Sequence, residues 1–115
     1  MITLYGLKSC DSCRKARRSL DRAGVAFTFV DLRETPPSEA QISEWAGALG
    51  WQNLLNRRST TWRGLDEAER RIGDRAGAVA AMQAHPTLIK RPVIEVGDKI
   101  ISGLTEEMLA KLPGT

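Results

Sequence analysis

Histidine, cysteine and aromatic residues are all scarce in this chain, and each scarcity closes off a class of function. Three tryptophans, two phenylalanines and one tyrosine make up only 5% of the residues. They are too few to interleave with the arginines as base-stacking platforms, so direct nucleic-acid binding is not expected. The single histidine, His85, and the single pair of cysteines cannot supply the four ligands of a structural zinc site, so no metal is expected. A c-type haem would need histidine where Arg14 stands. No apolar run approaches the roughly 20 residues that cross a bilayer, and no membrane association is expected. The sequence opens directly on a strand-like run, without a basic-then-apolar signal segment. The expected setting is the reducing cytoplasm, where a cysteine pair favours transient chemistry over a permanent cross-link.

What is present fits one domain over residues 1–115, with 42% hydrophobic residues to bury and 27% charged residues to solvate it. The net charge is +3. Arginines gather at Arg14/Arg17/Arg18/Arg22, at Arg57/Arg58/Arg63 and at Arg70/Arg71/Arg75. Solvated helix faces account for the first and third groups. Arginines near a thiol also suit an anionic small substrate.

The organising stretch is Ile2 to Ala16. A buried strand, Ile2-Thr3-Leu4-Tyr5, runs through a turn at Gly6 to Cys10, and an amphipathic helix begins there. Cys10 and Cys13 lie three apart, so on a helix they share a face. The first N–H groups of a helix have no partner within it, and the macrodipole is positive there. A cysteine so placed has a lowered pKa, and the thiolate is its nucleophilic form. Lys8, Arg14 and Lys15 add positive charge, and Asp11 opposes them. Lys8 and Ser9, in the turn itself, are candidate substrate-binding residues. The competing reading is an inert buried pair behaving as small hydrophobes; strand, turn, pair and basic helix together favour redox or nucleophilic chemistry.

Cys13, Ala16, Leu20 and Ala23 form one helical stripe, and Gly24 closes the helix. Val25–Val30 reads as a second strand, parallel to the first. Ser38 with Gln41 forms a capping box for a helix carrying Ile42, Trp45, Ala46 and Leu49, which Gly50 ends. Residues 51–56 read as a short helical turn and 57–61 as a polar loop. Asp66 with Glu69 predicts a capped helix through Arg71, and Asp74–Ala84 predicts another. His85, at the end of that helix, is expected to cap carbonyls. Val93–Val96, a Gly97-Asp98 turn and Lys99–Ser102 read as a hairpin, and Thr105 caps a final helix. The order is β-α-β, a helical insertion at about 36–86, then β-β-α. This predicts an α/β, thioredoxin-like fold on a mixed four-stranded sheet. Pro92, before the third strand, stands where that plan places a cis proline against the cysteine.

Three segments together resemble the arsenate-reductase-like (ArsC) family, in the branch that holds YffB-type proteins and the regulator Spx. They are Leu4-Tyr5-Gly6 with Cys10-Asp11-Ser12-Cys13-Arg14-Lys15-Ala16; Gly50-Trp51 through Leu54-Leu55-Asn56-Arg57-Arg58-Ser59-Thr60-Thr61-Trp62-Arg63; and His85-Pro86 through Ile89-Lys90-Arg91-Pro92. The middle segment resembles YffB-type proteins more than Spx or the true arsenate reductases.

The resemblance implies that Cys10 is the nucleophile and Arg91 an oxyanion- or carboxylate-binding arginine. A second family arginine falls at Arg57 or Arg58. A third has no counterpart, since Ser102-Gly103-Leu104 stands in its place, and this argues against an arsenate cradle. The implied activity is that of a glutathione-dependent thiol/disulfide reductase, a monomer with glutathione as co-substrate, no bound cofactor and glutaredoxin as a further partner. Cys13 is either the resolving cysteine or part of a switch. The alternative is an Spx-like redox-sensing regulator that binds the RNA polymerase α-subunit; the further alternative is a true arsenate reductase.

Overall fold

The computed structural model describes residues 2–102; the expected helix from Thr105 lies outside them. Two compact units are present. One holds the described residues up to Glu34 and from Arg91 onward, and the other is Thr35–Lys90.

The first unit contains the sheet. Strand β1 (Ile2–Gly6) pairs in parallel with β2 (Thr28–Asp31) and antiparallel with β3 (Val93–Val96), which pairs antiparallel with β4 (Lys99–Ser102). The order β2-β1-β3-β4 makes a mixed four-stranded sheet of the thioredoxin-like plan. Alternation along β1 sends Ile2, Leu4 and Gly6 to one side. Helix α1 (Asp11–Arg22) brings Ala16 and Leu20 to the same cluster, with Ile94, Val96 and Val25. Leu4, Leu20 and Ile94 are fully buried, so truncating any one to Ala costs about 2–5 kcal/mol.

The end of α1 shifts the second strand from its predicted start. The Gly24 N–H donates to Asp21 O at 3.1 Å and the Val25 N–H to Leu20 O at 3.0 Å, with Gly24 at φ +72°. This six-to-one closure is a Schellman motif, with buried Val25 against Leu20. Val25 therefore closes the helix, and β2 begins at Thr28.

The second unit is helical. Ser38 caps α2 (Glu39–Leu49), its hydroxyl accepting the Gln41 N–H at 3.1 Å, and Ile42, Trp45 and Ala46 are buried. Short α3 (Trp51–Leu54) follows Gly50. Residues 60 and 61, the end of the expected 57–61 loop, instead open α4 (Thr60–Gly64), capped by the Ser59 hydroxyl on the Trp62 N–H. The predicted helix at 66–71 is only a turn. Its capping bonds form, Glu69 N–H to Asp66 at 2.7 Å and Asp66 N–H to Glu69 at 3.3 Å, but residues 66–71 are exposed throughout. Without an apolar face to bury, one turn does not propagate. Asp74 caps α5 (Arg75–Ala84), which buries Ala78, Val79 and Met82. Among the described residues the His85 ring caps no carbonyl; Nε2 lies 3.5 Å from Glu69.

Candidate functional site

Cys10 occupies the N-cap of α1, with extended backbone at φ −84° and ψ 126°. The turn before it closes with the Cys10 N–H donating to Leu7 O at 3.2 Å, and the Cys10 carbonyl accepts the Arg14 N–H at 2.9 Å, starting the helix. Cys10 is partly exposed, whereas Cys13, one turn further in, is fully buried. Both are free thiols.

The two cysteines titrate in opposite directions. Partial burial pushes the Cys10 pKa up, but the N–H and thiol of Cys13, the charge of Arg91 and the N–H of Ser12 pull it down, and the net pKa falls below 9.0. Cys10 makes no cap hydrogen bond of good geometry, so these N–H groups act on it as dipoles. Burial raises Cys13 to about 11, against the Leu7 N–H, which reaches its sulfur at 3.5 Å. The Cys13 thiol helps lower the Cys10 pKa and Cys10 in turn helps raise that of Cys13, so each favours the anion at Cys10 and the proton on Cys13.

Arg91 acts on both sulfurs. It is half-buried at the start of β3, and the Arg91–Pro92 bond is cis, as the fold plan predicts. Among the described residues no carboxylate pairs with its guanidinium. Pro92 is buried.

The other candidates are placed differently. Asp11 is engaged by Arg14 at 2.7 Å, both side chains being well exposed. The Lys8 ammonium holds Glu34 at 2.8 Å, both side chains being well exposed. The Ser9 carbonyl accepts from Arg14 at 3.4 Å. Cys10, Cys13, Arg91, Pro92, Lys8 and Ser9 belong to one unit, and Arg57 and Arg58 to the other. Arg57 stands 5.7 Å from the Trp62 ring, a cation–π distance, and both arginines are exposed.

Sequence reasoning missed Asp31. It is only 8% exposed, at the end of β2. Oδ2 accepts the Lys8 N–H at 3.0 Å, and Oδ1 accepts those of Arg33 at 2.8 Å and Glu34 at 3.3 Å. The available signal was an acid ending the apolar run Val25–Val30. Among the described residues no group of three or more metal-ligating side chains occurs, and no helix is long and apolar enough to cross a membrane.

The ArsC family profile matches residues 5–112. A solved structure of a protein called YFFB (PA3664) is 40% identical, with TM-score 0.91 over 96% of each chain. An arsenate reductase of Rhizobium meliloti is 30% identical over 81% of this chain and 67% of its own. The global transcriptional regulator Spx 1 of Oceanobacillus iheyensis is also 30% identical, over 100% of this chain and 89% of its own.

Proposed function

The chain belongs to the ArsC family, and from that membership we propose that it is a thiol-dependent oxidoreductase, a glutathione-dependent thiol/disulfide reductase with Cys10 as nucleophile. The observation that carries the reading is the opposed titration of the pair: Cys10 lowered and partly exposed, Cys13 raised and buried. The Cys10 thiolate attacks the glutathionyl sulfur of a glutathione mixed disulfide. A new S–S bond forms, the old one breaks, and the leaving thiolate takes a proton from solvent. A glutathione thiolate then attacks the mixed disulfide, releases Cys10 and leaves as glutathione disulfide. Where glutathione is slow, Cys13 resolves the intermediate after losing its proton, closing a Cys10–Cys13 disulfide that two glutathiones reduce. Arg91 binds the substrate's carboxylate through charge-assisted hydrogen bonds. A reducing, cytoplasmic setting suits this chemistry.

A second reading, a redox-sensing regulator that binds the RNA polymerase α-subunit, draws on the Cys10–Cys13 pair and the full-length likeness to Spx 1. A third, arsenate reduction, draws on the Rhizobium relative. One experiment separates them. The purified protein is given glutathione with arsenate and, in parallel, with a glutathione mixed disulfide, while the α-subunit is tested for capture under reducing and oxidising conditions. Turnover of the mixed disulfide is expected. Redox-dependent capture without turnover reverses the ranking, and turnover of arsenate alone selects the third reading.

A further inference from the structure

A buried carboxylate is costly unless its oxygens are satisfied, and Asp31 is satisfied by three backbone N–H groups from two places in the chain. Two belong to its own turn, at Arg33 and Glu34; the third, Lys8, is 23 residues away in the turn that leads into Cys10. That turn is otherwise closed by the Cys10 N–H to Leu7 O at 3.2 Å. The Leu32 N–H, donating to Gly6 O at 2.8 Å, joins the same strand ends. We infer that Asp31 is a positioning residue for Cys10: by gripping the Lys8 N–H it fixes the turn that holds the thiol in reach of Arg91 and of the first N–H groups of α1. The inference rests on the reading of Cys10 as the reactive thiol but not on any particular substrate.

Two effects of Asp31 on Cys10 have opposite signs. The carboxylate's charge, acting through space, raises the Cys10 pKa; its grip on the turn lowers it by keeping the sulfur among positive groups. Among the described residues, the charged and titratable groups around the two are Cys13, Arg91, Lys8, Glu34, Asp11, Arg14 and Arg17. In Asp31→Asn the amide oxygen still accepts from Arg33 and Glu34, while its NH2 confronts the Lys8 N–H, donor against donor. Positioning therefore predicts a higher Cys10 pKa in Asp31→Asn, and a purely electrostatic role predicts a lower one.

The test is the pH profile of Cys10 alkylation by iodoacetamide, read by mass spectrometry in wild type, Asp31→Asn and Asp31→Ser, with a thermal melt of each. The expected result is a raised pKa and alkylation near neutral pH slower by roughly three- to tenfold, a rise of about half to one unit. An unchanged or lowered pKa in a folded variant overturns the inference. Hydrogen exchange of the wild-type Lys8 amide covers the case in which neither variant folds: protection is expected, and free exchange overturns the grip on which everything rests. Absence of reductase turnover, with these results intact, counts against the proposed function and leaves the role of Asp31 standing.

Discussion

The Cys13 sulfur fills the space that a side chain at Gly6 would need. A Cβ built on Gly6 collides with Cys13 Sγ and approaches its Cβ to 3.2 Å. Gly6 ends β1 and is itself buried, so the strand comes against the cysteine helix with no side chain between them. This approach keeps Cys13 covered and leaves Cys10 at the surface. Gly6→Ala should therefore force Cys13 and the first turn of α1 aside, costing about 1–3 kcal/mol by overpacking. Urea denaturation checks the loss, and faster Cys13 alkylation should accompany it. Unaltered stability and labelling would show that the helix yields freely.

The opposed titration predicts sequential labelling. Iodoacetamide near neutral pH should modify Cys10 first, and Cys13 only when the protein opens or the pH approaches about 11. Mass spectrometry at graded pH reads the order. Cys13 reacting ahead of Cys10 would reverse the assignment.

Cys13 also links stability to alkaline pH. Its folded pKa, about 11, is raised above the ordinary 9.0, so the folded state holds the proton more tightly. The stabilisation is complete below pH 9 and declines as pH rises through 9 toward 11. The two-unit difference corresponds to about 2–3 kcal/mol. Denaturant titrations from pH 8 to 11 should show this decline in wild type and lack that part of it in Cys13→Ala. Parallel curves for the two proteins would contradict it.

Arg91 should matter to substrate and thiol alike. Arg91→Ala removes a charge that lowers the Cys10 pKa, so that pKa should rise. Loss of a charge-assisted contact to an anionic substrate should cost about 1.5–3 kcal/mol, a roughly ten- to hundredfold fall in kcat/KM. Arg91→Lys should recover only part, because a point charge replaces a bidentate fork. A thermal melt should remain near wild type in both variants. An unchanged kcat/KM would remove Arg91 from the site, and a collapsed melt would make it structural.

The sheet and the cysteine junction were legible in the sequence because apolar runs such as Ile2–Tyr5 and Val93–Val96, and the Cys13/Ala16/Leu20 stripe, bury one face in the expected period. Gly24 was legible as a helix end, but its closure also consumes Val25, which apolar character alone assigned to the strand. Helix α4 escaped notice because it buries none of its residues, and only the Ser59 cap marked it. The turn at 66–71 carried the cap without the buried face, the reverse error. The place of Cys10 at the helix start was readable, as was that of Arg91 before Pro92. Asp31 was marked only as an acid ending an apolar run, and its hold on Lys8 was not readable, because Lys8 is brought to it by the pairing of β1 with β2.

Turnover by single-cysteine variants tests the central claim most directly. Wild type, Cys10→Ser and Cys13→Ser are assayed side by side for glutathione-dependent reduction of a glutathione mixed disulfide. The account predicts that Cys10→Ser abolishes turnover, because no other thiol is both exposed and acidified, while Cys13→Ser retains part of it through direct resolution by glutathione. Turnover that survives in Cys10→Ser, or is lost only in Cys13→Ser, would contradict the account.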